Sequence, residues 1–348
     1  MGESIRNHLR RAEGILVVHH WDADGIASAA IIAEKYGEVI NYCPPIGKFK
    51  VNETVLDELK NKIMTKKDLI LILDWNIPYK DVETIEKALG VKVAVIDHHY
   101  KSKHPPKATY YNPVAYGESE EKWPSTTWTI MKALNIQLNL KVILGVFGDL
   151  EEKAVNLKLY HQAIKPYMER QKYSVKELIE AAKHLNACGR IGDRRMVENA
   201  VWKLIEYGNS LKDVLSDEEW WRAKAKIEAE VNRIISSGVE AIYGNIILKR
   251  FKSPYNLTSE VARKLSKLNP QSIIVALNEN SRLNEAEIYV RRGSKLKVKL
   301  TPIINKLVER GLEAGGKEAV FGLKVPHNKL EEALKLTLNM LMEELKID

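Results

Sequence analysis

Val93-Ala94-Val95-Ile96-Asp97-His98-His99 is an apolar run closed by three ionisable side chains. A continuous apolar run rich in β-branched residues reads as a parallel strand buried on both faces. Its last residues then emerge at the open edge of the sheet, where ligands bind in α/β folds. Two earlier runs are built the same way: Ile15-Leu16-Val17-Val18 leads into His19-His20-Trp21-Asp22-Ala23-Asp24-Gly25, and Leu69-Ile70-Leu71-Ile72-Leu73 leads into Asp74. Helical patterns separate these strands at 26–36, ended by Gly37, at 55–64 and at 78–89, entered at Pro78; residues 39–42 add another strand and residues 5–13 a short amphipathic helix. Strands alternating with helices predict a parallel, doubly wound sheet.

Downstream, Pro105, Pro106, Pro113, Pro124 and Gly117 make residues 100–124 a loop beside the sheet edge. Ser125 or Thr126 caps a helix through Trp128, Met131 and Leu134, and the apolar run 140–147 ends at Gly148-Asp149, a fourth carboxylate at a buried end. Residues 155–235 are mostly helical and contain Asn186-Ala187-Cys188-Gly189-Arg190-Ile191-Gly192-Asp193-Arg194-Arg195. Two glycines among arginines suit close approach of backbone to phosphate, and equally a helix C-terminus with solvated charges. A charged helix at 218–235 reads as a connector. A second, smaller α/β domain follows: strand 241–248, helix 259–268 capped by Thr258, strands 272–277, 285–290 and 295–300, helix 302–312, strand 319–325 and helix 328–345, with Gly315-Gly316-Lys317 in a turn. The expected domains are 1–217, with a helical extension over 155–217, then a connector at 218–240 and a second domain at 241–348.

At 348 residues, 45% hydrophobic and 29% charged, the chain is globular and long enough for two domains. No apolar run approaches the ~20 residues of a membrane span. The N-terminal stretch is charged and lacks an apolar signal region, so a cytoplasmic location without a membrane partner is expected. Cys43 and Cys188 are too few for a disulfide framework and read as small buried hydrophobes. Lys and Arg exceed Asp and Glu by 54 to 46, a net charge of +8. That excess suits a polyanionic substrate, and equally a charged surface that serves solubility.

Several Asp residues at one sheet edge repel one another unless a cation lies among them. A divalent metal removes the conflict. Carboxylate with imidazole suits Mn, Zn or Fe better than Ca, and the absence of thiolates argues against structural zinc.

The spaced set His20-Asp22-Asp24-Gly25, then Asp74, Asp97-His98-His99 and Gly148-Asp149, resembles in order and placement the four motifs of the DHH phosphoesterases. Asn186-Ala187-Cys188-Gly189-Arg190 resembles a segment of RecJ-type exonucleases, and Val290-Arg291 with Gly315-Gly316 resembles the DHH-associated C-terminal domain. The resemblance implies two ions, usually Mn2+, with Mg2+ as substitute. Asp74 would bridge them, His20 and Asp22 would complete one shell, and Asp24, His98 and Asp149 the other. His99 would face the scissile phosphate, with Asp97 orienting a neighbour. Arg190, Arg291, Gly315 and Gly316 would hold the nucleotide. Lys317 stands where the family usually has histidine, either contacting phosphate as a point charge or lying on the surface.

These implications favour a single-strand-specific exonuclease on DNA or RNA that releases 5′-mononucleotides, with a lean to 3′→5′ polarity and recruitment by a replication or repair protein left open. The alternatives are a phosphodiesterase or phosphatase for short oligonucleotides, cyclic dinucleotides or adenosine bisphosphate, and a catalytically silent binding subunit, which the complete motif set disfavours. Trp21, Trp75 and Trp123 are candidates for base stacking or for core packing. His19 reads as a packing residue, and His104, His161, His184 and His327 as surface or core.

Overall fold

A computed structural model of the chain describes residues 2–64, 68–100, 109–279 and 285–346. The chain divides into two compact units, Met1–Lys224 and Ala225–Asp348. After helix α1 (Gly2–Arg11), the first unit runs β1 (Ile15–His19), α2 (Ala23–Tyr36), β2 (Val39–Tyr42), α3 (Glu53–Ile63), β3 (Leu69–Leu73), α4 (Tyr79–Leu89) and β4 (Lys92–Ile96). A short β5 (Tyr110–Tyr111) completes a sheet of order β2-β1-β3-β4-β5, parallel at every pair. Every residue of β1 and β3 is buried, as continuous apolar runs require.

The strand order decides where a ligand can sit. The chain leaves β1 toward β2 on one side and returns to β3 on the other. A crevice therefore opens beyond the carboxyl ends of β1 and β3, the switch point at which open α/β sheets bind ligands. His20, Asp22 and Asp24 follow β1, and Asp74 follows β3.

Helices α5 (Thr126–Leu134) and α6 (Leu140–Leu150) follow, and α7 (Lys165–Gln171), α8 (Val175–Arg190), α9 (Arg194–Tyr207) and α10 (Leu211–Ser216) lie in the helical extension. Ser125, not Thr126, caps α5, and Asn139 caps α6 through Val142 N. The apolar run before Asp149 is thus a helix, so Asp149 sits in the last turn of a helix rather than at a strand end, and its side chain is 22% exposed. Cys43, Cys188, Trp21 and Trp75 are buried in this unit, and Trp123 sits half-buried with its ring edge to Tyr111. Pro105, Pro106 and His104 lie outside the described residues.

Helix α11 (Glu218–Ser236) contains the boundary between the units. The second unit comprises β6 (Ala241–Tyr243), β7 (Ile246–Phe251), α12 (Thr258–Leu268), β8 (Ile273–Asn278), β9 (Glu285–Arg292), α13 (Thr301–Glu309), β10 (Glu313–Lys317), β11 (Val320–Pro326) and α14 (Leu330–Leu345). Its sheet has the order β10-β11-β9-β8-β7-β6 and is mixed, with β7 and β8 parallel.

Four expectations fail here, each for a physical reason. The single strand at 241–248 is a hairpin, turned at Gly244 with φ +53. Residues 295–300 alternate Lys with apolar residues but form no strand, because both sides of β9 are already taken by β8 and β11. Leu300 instead enters α13, and its amide donates to Glu318 O. Gly315-Gly316-Lys317 is not a turn but part of β10, paired with β11 through main-chain groups that need no side chain. Thr258 opens α12 without capping it, and its buried hydroxyl has no hydrogen-bond partner among the described residues. No helix among the described residues is long and apolar enough to cross a membrane.

Candidate active site

Asp22 caps α2, its Oδ1 accepting from Gly25 N at 3.0 Å, which puts Asp24 on the first helical turn. Asp24 is wholly buried and meets the start of α5: Thr126 N donates to its Oδ2 at 2.6 Å and Thr127 N to its Oδ1 at 2.9 Å. A helix N-terminus holds a carboxylate well in this way. Gly145 on α6 makes room for it, since a Cβ there would overlap both the Asp24 carboxylate and the Thr127 hydroxyl.

Asp74 turns the chain out of β3 in the left-handed region, at φ 60. That conformation costs a non-glycine residue about 1–2 kcal/mol, and two contacts hold it there. The Asp74 amide donates to Ile96 O at 3.2 Å, and Thr126 Oγ1 donates to Asp74 Oδ1 at 2.8 Å. Beyond β4, Asp97 Oδ1 accepts from the amides of His98 and His99 at 2.8 and 3.3 Å and from His99 Nδ1 at 2.7 Å. Because an ionised carboxylate only accepts, Nδ1 carries the proton and the ring is oriented by Asp97.

The expected side chains come together in three groups: His20, Asp22 and Asp74; Asp74, His98 and His99; and Asp24, His98 and Asp149. Within each, one donor atom per residue lies within 4.8 Å of the others. Asp74 and His98 each belong to two groups. His98 Nε2 lies 3.1 Å from Asp149 Oδ2 and 3.6 Å from Asp74 Oδ1, and His20 Nδ1 lies 2.7 Å from Asp22 Oδ2. Asp97 is in none of the groups.

Residues 14–149 match the family model described as DHH family, N-terminal domain. Residues 14–149 are a DHH-family domain. Comparison with curated proteins finds no match. Among solved structures, exonuclease RecJ bound to manganese aligns over 97% of this chain and 92% of its own, at 17% identity and TM-score 0.60. The DHH domain of a member of the s1p family of ribosomal proteins aligns over 98% and 89%, at 16% identity and TM-score 0.70. RecJ from Thermus thermophilus in complex with Mn2+ aligns over 97% of this chain and 53% of its own, at 18% identity and TM-score 0.64. At such identities the likeness is one of fold.

The electrostatics of the DHH-family site fit divalent cations. Burial first, and then Asp149, raise the Asp24 pKa to about 7. Burial, followed by Asp24, Asp22, Asp149 and Asp97, raises that of Asp74 well above the usual carboxylate range. Burial opposes ionisation of Asp22, but the contact with His20 outweighs it and holds the carboxyl below its ordinary value. For His20 burial works against the imidazolium, and Asp22, Asp149 and Asp24 together overcome it and raise the pKa. Such crowding is what positive charge at the centre relieves. His19 is different: it is fully buried, its Nδ1 bonds its neighbour's carbonyl, and burial lowers its pKa to about 4, so it packs as a neutral ring.

The other expected residues are placed elsewhere. Arg190 ends α8 half-buried in the first unit, whereas Arg291 on β9 and Gly315, Gly316 and Lys317 on β10 belong to the second. Trp21 and Trp75 pack in the core, Trp75 Nε1 donating to Lys48 O at 2.8 Å. The Asn186–Arg190 segment has a role that the sequence reading missed. Asn186 Oδ1 accepts from Ala23 N at 2.8 Å, and a Cβ at Gly189 would overlap the Trp21 carbonyl oxygen, so α8 docks closely on the loop that carries Asp22 and Asp24. Asn186→Ala leaves the Ala23 amide unsatisfied and is expected to lower stability by about 1–3 kcal/mol, read from the urea midpoint at unchanged m-value. Thr126 and Thr127 were also missed as site residues, because two of their three contacts to the Asp residues use backbone amides.

Proposed function

We propose that this phosphoesterase is a Mn2+-dependent exonuclease on single-stranded DNA or RNA that releases 5′-mononucleotides, with a lean to 3′→5′ polarity. The observation that carries the reading is the shared position of Asp74. It stands between the His20–Asp22 pair and the group of His98 with Asp24 and Asp149, so one carboxylate can serve two ions held side by side. Mixed carboxylate and imidazole donors suit manganese, with magnesium as substitute. When bound, a metal pair supplies an activated water and stabilises charge at phosphorus.

His20, Asp22, Asp24, Asp74, His98 and Asp149 hold the ions in this proposal. His99, oriented by Asp97, exchanges a proton at the scissile phosphate. Arg190 and, from the second unit, Arg291, Gly315, Gly316 and Lys317 contact the nucleotide, which makes residues 241–348 the substrate-binding domain. The net charge of +8 draws a polyanion to the surface. Recruitment by a replication or repair protein and action in the cytoplasm complete the reading.

The test is digestion of single-stranded oligonucleotides labelled at either end, with Mn2+ or with chelator. A gradual ladder from the 5′-labelled strand supports stepwise 3′→5′ removal. Immediate release of the labelled 5′ nucleotide reverses the polarity. No metal-dependent cleavage of DNA or RNA strands, with turnover of dinucleotides, replaces the exonuclease by a phosphodiesterase of short oligonucleotides.

A further inference from the structure

Phe49 has no part in the expected site, yet it stands beside it. The residue is 41% exposed, and its ring lies 5.7 Å from the His20 ring and 5.1 Å from that of Trp21. His20 and Trp21 are themselves 4.2 Å apart, so the three rings form a step from the core through a candidate metal ligand to solvent. A singly exposed apolar ring is ordinary; what sets Phe49 apart is its place beside a candidate metal ligand, and whether the ring can turn away from it depends on the backbone.

The backbone is not free. On one side Trp75 Nε1 donates to Lys48 O at 2.8 Å, and Lys48 N donates to Pro45 O at 2.9 Å. On the other, Val51 N donates to Asp81 Oδ2 at 2.9 Å. The segment between β2 and α3 is therefore tied down immediately before and two residues after Phe49, with the ring held outward at the rim of the metal-ligand cluster. Lys48 and Lys50 flank it in sequence. An apolar face beside basic residues and a phosphate-cleaving centre has the composition of a stacking platform for single-stranded nucleic acid.

We propose that Phe49 is a specificity residue: it stacks on the base of a nucleotide whose phosphate lies at the His20–Asp22–Asp74 group. The inference rests on the nucleotide-hydrolysing reading above and adds to it where a base is recognised. It also separates base-bearing substrates from phosphodiesters in general, because a platform of this kind rewards any base and no sugar. Its sequence tolerance follows, since every base presents a π-face.

The experiment compares two single-stranded oligonucleotides with Mn2+. One carries bases throughout, and the other carries reduced abasic sugars at the last two positions of both ends. The wild-type protein is expected to favour the base-bearing strand by roughly tenfold in kcat/KM, the effect of one base–aromatic stack. Phe49→Ala abolishes that preference, Phe49→Trp keeps it and Phe49→Leu does not. A preference that survives in Phe49→Ala overturns the proposal. An equal fall of Phe49→Ala on both strands, with the preference intact, also overturns it, assigning Phe49 to the positioning of His20. Absence of metal-dependent hydrolysis of either strand by the wild-type protein overturns the exonuclease reading itself, a result distinct from both.

Discussion

Asp74→Asn is expected to abolish metal-dependent hydrolysis while leaving the metal-free protein at least as stable as the wild type. Asparagine keeps the shape of the side chain, accepts the Thr126 hydroxyl as the carboxylate does, and tolerates the left-handed backbone that Asp74 adopts. What it removes is the charge of a crowded carboxylate, one whose pKa burial, Asp24, Asp22, Asp149 and Asp97 push well above the ordinary value when no cation is present. Folding without metal therefore loses nothing. Hydrolysis loses the residue shared by two donor groups. If that sharing supplies about 4 kcal/mol of the several that metal ions contribute to charge stabilisation, the rate falls about a thousandfold. Asp74→Ala is the informative companion, because alanine lacks the polar side chain that lets Asp and Asn tolerate positive φ and leaves the Thr126 hydroxyl without its acceptor. The measurement is turnover with Mn2+ beside thermal unfolding in chelator and in metal. Turnover of Asp74→Asn within tenfold of wild type would sink the two-ion reading, as would a metal-induced thermal shift of undiminished size.

The parts of the fold that position this residue were legible because buried parallel strands leave a blunt mark. β1, β3 and β4 are continuous apolar runs, and the polar residue after each run must lie at a sheet edge. The spacing of His20, Asp22 and Asp24 could be read for the same reason. Asp149 could not be placed as firmly, since an apolar run of that length fits a buried helix or a strand equally well. In the second unit the signals were local and the outcome was not. Residues 295–300 alternate like a strand but cannot pair with β9 before them, both of whose sides are taken, and Gly315-Gly316 looks like a turn but pairs as an edge strand. Backbone donors are the deepest blind spot. Thr126 N and Thr127 N grip Asp24, and Ala23 N is gripped by Asn186 from 163 positions away, and an amide leaves no trace of its partner in the residue names.

The same crowding of carboxylates sets a pH dependence of stability. In the metal-free protein, the contribution of the buried carboxylates to stability is expected to fall as the pH rises from about 4 to about 7, and divalent metal is expected to remove most of that fall. Asp24 defines the window: burial and Asp149 lift its pKa from 3.8 to about 7 in the folded protein, and Asp74 is lifted in the same direction. The unfolded chain has ordinary carboxylates near 3.9. Between these values the folded state holds protons that the unfolded state has released, so stability declines with pH. Below the window both states are protonated and the penalty vanishes; above it the penalty is complete. His20 acts in the same sense at its upper end, because its pKa is raised from 6.5 and its contribution is lost as the pH rises through the folded value. Asp22 and His19 run the other way. The depressed pKa of Asp22 stabilises the fold above 3.8, and that help is lost only in stronger acid. His19, which burial holds at a pKa of about 4 against 6.5 when free, adds stability as the pH rises between those values, so the metal-induced shift is the cleaner readout. Metal takes the deprotonated ligands, so binding expels protons and tightens with pH. At metal about a hundredfold above its Kd the gain is about 2.7 kcal/mol, roughly 5–10 °C in Tm for a unit of this size. That gain should be large at pH 8 and small at pH 5. Unfolding curves in chelator and in Mn2+ across this range measure it, and a metal-induced shift equal at both ends would mean that the buried carboxylates are not where the cation binds.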